Sequence, residues 1–292
     1  MKANSMCVSC LLSKQEKLIR NFSDEEKKSE YMHQLLGILY AHAQTDSAPG
    51  MTVRINELFE KFWGSTEDYG PAKHKYNQLL LGKERALKQQ ISSAQDQVKE
   101  CIKYVCAANY IDFSAVDNVN EDTFEKLLEK AKNESVSDSE YEAFVQDLEK
   151  AERLVYLTDN CGEIVLDKIF IEYIKAAYPN LQITVIVRGQ DVINDATMED
   201  AREVGLTELV PCIGNGDGAP GTILETISEK ARRTLQAADV IISKGQGNFE
   251  SLYGEGMNPY YLFLCKCELF VRRFGLEQYT SVFAKEERIR MK

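Results

Sequence analysis

Up to about residue 108 the apolar positions recur every three to four residues, the spacing of helices with one buried face. From Cys7 to Arg20, Cys7, Leu11 and Leu18 share a side. Ser23-Asp24-Glu25-Glu26 has the capping-box pattern, and Tyr31, Leu35, Leu36 and Leu39 follow at helical spacing. Ala48-Pro49-Gly50 predicts a break, and Val53 to Phe62 a short helix with Leu58, Phe59 and Phe62 along its apolar edge. After a loop from Gly64 to Gly70, Pro71 suits the first position of a longer helix carrying Tyr76, Leu79, Leu80 and Leu87. Val98, Ile102 and Val105 mark another helix, which the segment Ala107 to Phe113 interrupts. Between Glu121 and Arg153 acidic residues outnumber basic ones, most simply a solvated helix face that Ser137-Asp138-Ser139-Glu140 can cap.

From Leu154 the pattern changes to alternating strand and helix. Leu154–Leu157 predicts a strand, Gly162 to Ala177 a helix, and Ile183–Val187 a buried strand. Thr197-Met198-Glu199-Asp200 caps a short helix, and Glu208–Ile213 predicts the next strand. A glycine-rich loop runs from Gly214 to Gly221, and Thr222-Ile223-Leu224-Glu225 reads as a capping box for a helix to about Gln236. Val240–Ser243 and Tyr260–Leu264 are further strands. Such alternation predicts a three-layer α/β/α, doubly wound, mostly parallel sheet. It follows an N-terminal all-helical domain over residues 1–108, with the α/β/α domain over 109–292.

The 292 residues suffice for a full core, and the net charge of −11 argues against a general nucleic-acid or anionic-membrane binder. No apolar run reaches a membrane span, and Met1-Lys2-Ala3-Asn4-Ser5 lacks an apolar signal core, so the cytoplasm is the expected address. The eight cysteines are then expected as thiols or metal ligands.

Each strand of the second half ends in polar residues: Thr158-Asp159-Asn160, Arg188-Gly189-Gln190-Asp191 with Ile193 to Thr197, Asn215-Gly216-Asp217, and Ser243 to Glu250. In a parallel sheet these ends lie side by side, where ligands bind. A carboxylate beside a carboxamide oxygen suits a hard divalent cation, although Asp-Asn after a strand is also ordinary turn chemistry. A metal with a phosphate accounts for the convergence economically. The cation offsets carboxylate repulsion, Lys244 supplies a point charge, and Gly245 and Gly247 let backbone N–H groups approach an anion. Asn194-Asp195 is equally compatible with a helix start, and Lys244 with a solvated strand end.

Several classes are disfavoured. Gly245-x-Gly247 lacks the third glycine of the dinucleotide fingerprint, Gly162 opens none, and no phosphate-binding G-x-x-x-x-G-K-[ST] occurs. His33, His42 and His74 all lie in the helical half, and no G-x-S-x-G exists for a serine hydrolase. Cys7-x-x-Cys10 and Cys265-x-Cys267 form a zinc site only if the fold unites them, the alternative being buried apolar thiols.

Asp159-Asn160-Cys161-Gly162-Glu163, Ile193-Asn194-Asp195-Ala196-Thr197 and Ser243-Lys244-Gly245-Gln246-Gly247-Asn248-Phe249-Glu250, taken in order, resemble the damage-control phosphatase family. Cys7-x-x-Cys10-Leu11-Leu12 and Asn109-x-x-Asp112 look like its short prokaryotic-type branch. The resemblance implies hydrolysis of small phosphorylated metabolites with Mn²⁺, Mg²⁺, Co²⁺ or Ni²⁺. It places the metal ligands at Asp159, Asn160 and Asp195 and the phosphate-contacting lysine at Lys244. Asn109 and Asp112 match a segment lining the family's site. Glu163, Asn194, Thr197, Gly245 and Asn248 complete the expected substrate-binding set, with Glu163 or Asp112 orienting the attacking water. Cys161 stands where alanine is common in the family. The alternatives are a protein carboxyl methyltransferase using S-adenosylmethionine, and a non-enzymatic zinc or thiol binding module.

Overall fold

The computed structural model describes residues 1–64, 68–110, 126 and 129–291. Six strands form one sheet in the order β3-β2-β1-β4-β5-β6. They are β1 (Arg153–Leu157), β2 (Gln182–Val187), β3 (Cys212–Gly214), β4 (Val240–Lys244), β5 (Tyr260–Leu264) and β6 (Ser281–Lys285). The first five are parallel and β6 runs antiparallel to β5. Strand order reverses direction at β1, which puts the crevice at the carboxyl ends of β1 and its neighbours β2 and β4.

Period-two alternation divides the strand residues between two cores. Leu154 and Tyr156 of β1 and Val185 and Val187 of β2 join one cluster, whereas Val155 and Leu157 of β1 and Ile186 of β2 join the other. The first cluster is covered by helices α4 (Gly70–Ser92), α5 (Gln97–Ala108), α6 (Asp138–Lys150) and α7 (Glu163–Ala177). The second is covered by α10 (Glu229–Gln236), α11 (Gly245–Leu252) and α12 (Glu268–Phe274). This is the three-layer α/β/α arrangement.

Helices α1 (Ser5–Ile19), α2 (Glu25–His42) and α3 (Ala48–Trp63) share a separate small core around Tyr31, Leu35, Ile55 and Phe59. The described residues before 109 are mainly helical, as their periodicity suggests, but they do not pack as one unit. Tyr76, Leu80, Ile102 and Val105, from α4 and α5, belong to the core of the sheet. Among the described residues no helix is long and apolar enough to cross a membrane.

Three local expectations differ from the structure. Ala48-Pro49-Gly50 is the first turn of α3, because Ser47 caps it through Gly50 N at 3.3 Å and proline is tolerated where its missing N–H is an orphan. The strand expected at Glu208–Ile213 is a short helix, α9 (Leu206–Leu209), followed by three residues of β3. Leu206, Leu209 and Val210, at i, i+3 and i+4, pack against the same core, the spacing of a helical turn, whereas a strand would turn Leu209 to the opposite face. The helix expected at Thr222 starts instead at Glu229, capped by Ser228 through Ala231 N at 3.2 Å. The Thr222 hydroxyl is already donated to Asn248 Oδ1 at 2.8 Å.

Phe249 of α11 sits at the centre of the second core, with its ring centroid 4.7 Å from that of Tyr261 and 5.3 Å from those of Phe263 and Phe270. Phe249→Ala is expected to lower the unfolding free energy by about 3–5 kcal/mol in urea titrations. A loss under about 1 kcal/mol would show that this cluster does not hold α11 to the sheet.

Candidate active site

Beyond β2 the chain doubles back and straps itself across the end of β1. Ala196 N donates to Asp159 O at 2.7 Å, Cys161 N to Asn194 O at 2.8 Å, and Arg188 N to Ala196 O at 2.9 Å. These backbone bonds bring Asn194 and Asp195 against Asp159 and Asn160, with Ile193 at a positive φ of 47° in the turn between. On the other side Asn77 of α4 accepts from Gly162 N at 2.6 Å. Gly162 holds φ at 68° beside Tyr76, and α7 then starts at Glu163.

Asp159 and Asp195 are nearly buried, at 9 % and 6 % exposure. Asp159 Oδ2 accepts from the amides of Asn109 and Asn160, both at 2.8 Å. The same two amides also donate to Glu163 Oε2, at 3.1 and 2.9 Å. Asn109 is anchored in turn by Leu264 N, which donates to its oxygen at 3.1 Å and ties the end of α5 to β5. Asn194 donates to Asn160 Oδ1 at 2.8 Å. Gly245 begins α11 directly against this group. A Cβ on it would lie 2.1 Å from Asp159 Cγ, and its φ of +76° also favours glycine.

Arg188, at the end of β2, is the cation that sequence patterning did not single out. Its Nε donates to Asp195 Oδ2 at 2.6 Å, and its NH1 donates to Gly221 O at 2.8 Å and Asn248 Oδ1 at 3.0 Å. Its NH2 is buried, has no hydrogen-bond partner among the described residues and stands 3.9 Å from Asp159 Oδ1. The sequence signal was Arg188 as the first polar residue after β2; its reach to Asp195 depends on the strap.

Burial, the nearby Asp195 and then Glu163 push the Asp159 carboxyl up to about 7. Lys266 and Arg188 pull it the other way, Lys266 the more strongly. Lys266, just past β5 and half-buried, is thus a second cation that the sequence reading missed.

Lys244 is placed differently from the expectation. It is fully buried, its ammonium pairs with Glu163 Oε1, and it donates to Asp167 Oδ1 at 2.9 Å. Burial pulls its pKa down, but Asp167 and Glu163 outweigh that and hold it above its ordinary value. Asp167, also fully buried, accepts from Tyr156 OH at 2.7 Å. Burial pushes Asp167 up to about 6 against the opposing pull of Lys244.

Of the expected residues, Asp159, Asn160, Asn109, Glu163, Asn194, Asp195 and Gly245 come together. Asn248 braces Arg188 and Thr158 from behind. Thr197 is a helix cap: its N and hydroxyl both donate to Asp200 Oδ2, at 2.8 and 2.9 Å. Glu163 has both oxygens engaged and no exposure, so it is not placed to orient a water. Asp112 lies outside the described residues.

A cation fits this donor set in one respect and not in another. Two buried carboxylates face one another across a short strap, and oxygen donors suit hard divalent ions. Asn160, however, turns its nitrogen to Asp159 and its oxygen to Asn194, so it joins the set only with its amide turned the other way round. Among the described residues no three His, Cys, Asp or Glu side chains already surround a point. All eight cysteines are free thiols; Cys7, Cys10 and Cys267 line one cavity of about 610 Å³. Burial holds the Cys161 thiol well above its ordinary value. A cavity of about 750 Å³ between α3 and the loop after β3 holds none of the site carboxylates.

A damage-control phosphatase of Archaeoglobus fulgidus is 29 % identical over 283 residues, covering 94 % of this chain and 96 % of the relative. A damage-control phosphatase of Pyrococcus horikoshii is 28 % identical over 276 residues, covering 93 % and 94 %. An uncharacterised protein of Methanocaldococcus jannaschii is 27 % identical over 299 residues, covering 98 % and 96 %. The crystal structure of a DUF89 family protein from Pyrococcus horikoshii superposes with a TM-score of 0.83 at 25 % identity, covering 98 % of this chain and 99 % of its own. The profile of the damage-control phosphatase ARMT1-like domain matches residues 3–282, and the chain belongs to that family.

Proposed function

We propose that this chain hydrolyses small phosphorylated metabolites, sugar phosphates or damaged phosphorylated cofactor precursors, with the help of a divalent cation. The observation that carries the reading is the pair of buried carboxylates, Asp159 and Asp195, set at the switch point of the sheet with an unpartnered guanidinium nitrogen beside them. The relatives named damage-control phosphatases support the reaction class.

Asp159, Asn160 and Asp195 would hold the cation. Bound there, Mn²⁺, Mg²⁺, Co²⁺ or Ni²⁺ would offset the carboxylate repulsion and supply positive charge to a phosphate. The chain's own groups do the rest. Arg188 NH2 has no acceptor among the described residues, and the guanidinium is held in place by Asp195, Gly221 and Asn248 through its other nitrogens. A phosphate oxygen is the acceptor it suits best. Lys266 adds positive charge near enough to pull the Asp159 carboxyl down. The amino end of α11, starting at Gly245 beside Asp159, favours an anion through its helix dipole. The near-closure of the site excludes bulk water and strengthens each of these interactions.

Metal-stripped protein should show no turnover on a panel of sugar and cofactor phosphates, and added Mn²⁺, Mg²⁺, Co²⁺ or Ni²⁺ should restore it. Asp159→Ala and Asp195→Ala should each lower the rate by more than about a hundredfold. Full turnover without metal, or an Asp159→Ala enzyme within about tenfold of the parent, would overturn the reading.

The raised Asp159 carboxyl also predicts a pH dependence. Below about 7 it holds a proton that a cation must displace. Mn²⁺ affinity, measured by calorimetry, should therefore weaken by up to about tenfold per pH unit as the pH falls below that point. An affinity that stays flat between about pH 5.5 and 7 would contradict it.

A further inference from the structure

We infer that Lys244 is a positioning residue, holding Glu163 so that Glu163 in turn orients the Asn109 amide that sets Asp159. This rests on the reading that a cation binds at Asp159 and Asp195. Lys244 lies at the end of β4, where a strand-end lysine would ordinarily be free to meet an anion. Here it has no exposed surface, and its ammonium is spent on Glu163 and Asp167.

The contacts form a chain with a direction. Tyr156 OH and Lys244 both donate to Asp167 Oδ1, which fixes the ammonium from behind. Lys244 then holds Glu163 Oε1, leaving Oε2 to accept from Asn160 and Asn109. Those two amides are the ones that donate to Asp159 Oδ2. Each amide therefore sits between two carboxylates; Asn160 has to turn to meet a cation, whereas Asn109 keeps its place with its angle set by both. The contact with Lys244 fixes the rotation of the Glu163 carboxylate, and so the direction in which Oε2 faces the amides; losing that contact frees the carboxylate to turn away.

Removing the ammonium while keeping its volume, as in Lys244→Met, should then weaken the cation site and leave phosphate recognition alone. The Mn²⁺ dissociation constant, by calorimetry, should rise about tenfold or more, the range seen when partners behind metal ligands are lost. The dissociation constant for inorganic phosphate should change by less than about threefold, and with saturating metal kcat should fall while KM holds. Lys244→Met/Glu163→Gln removes both charges but keeps an acceptor oxygen at 163, so it should recover most of the Mn²⁺ affinity lost in the single variant. The double variant also decides the matter if Lys244→Met does not fold. Wild-type Mn²⁺ affinity in either variant, together with phosphate binding weakened tenfold, would make Lys244 a phosphate ligand and overturn the inference. So would a double variant that binds Mn²⁺ no better than the single. A wild type that binds no Mn²⁺ would instead overturn the cation reading, and the phosphate arm would still decide between the two roles of Lys244.

Discussion

Repulsion among buried carboxylates is the constraint on which the rest of the site depends. Asp159, Asp195, Glu163 and Asp167 are all nine-tenths or more buried in one neighbourhood. Charges of one sign in a region of low dielectric are costly unless each is compensated. The chain compensates them unevenly. Glu163 and Asp167 share Lys244, and Asp195 has Arg188. Asp159 has amide donors and a guanidinium nitrogen 3.9 Å away, and its carboxyl stands at about 7. The cationic complement of the site is therefore incomplete at Asp159, which is where a divalent ion would complete it.

The fold serves this arrangement in identifiable ways. Five parallel strands bring polar ends to one edge, and the order reversal at β1 opens the crevice there. Backbone bonds of the Asn194–Ala196 strap hold the second carboxylate against the first, so the spacing does not rely on side-chain contacts alone. Helix α4, placed by its own apolar face in the sheet's core, delivers Asn77 to the turn at Gly162 and Lys73 to Asp191 and Asp200. Glycine at 245 is required because the space of its Cβ belongs to the Asp159 carboxylate.

Much of this was legible in the sequence, and the failures have physical causes. Strands β1, β2, β4 and β5 could be read because strands buried on both faces are continuous apolar runs, Leu154 and Val155 facing different cores. The edge strand β6 was not read, since Ser281–Lys285 carries little apolar pattern and is half-exposed. Thr222 looked like a cap because a capping box is defined by local spacing, whereas its hydroxyl is used by Asn248, far along the chain. Composition set the boundary at 108/109, yet α4 and α5 lie before it and pack into the sheet's core. In the site, Asp159 and Asn160 directly follow β1 and Asp195 lies in the polar stretch after β2, which is why the sequence could place them at one edge of the sheet. Lys244 was given the wrong neighbours, because a lysine at a strand end can face a crevice or a core and only packing decides. Arg188 and Lys266 act through folded proximity to Asp159, and neither has a local motif that announces it.

The central claim is that the surroundings of Asp159 disfavour its anion until a cation arrives. Its folded pKa lies above the unfolded value, so the metal-free fold is favoured at low pH. That advantage is lost as pH rises through about 7, by on the order of 4 kcal/mol for a shift of this size. The direct measurement is the melting temperature of metal-free wild type and Asp159→Asn at pH 5 and pH 8, each with and without Mn²⁺. At pH 8 without metal, Asp159→Asn should melt several degrees higher than wild type, the difference should shrink at pH 5, and Mn²⁺ should raise only the wild type. An Asp159→Asn protein that melts lower than metal-free wild type at pH 8, or that gains as much from Mn²⁺, would contradict the account.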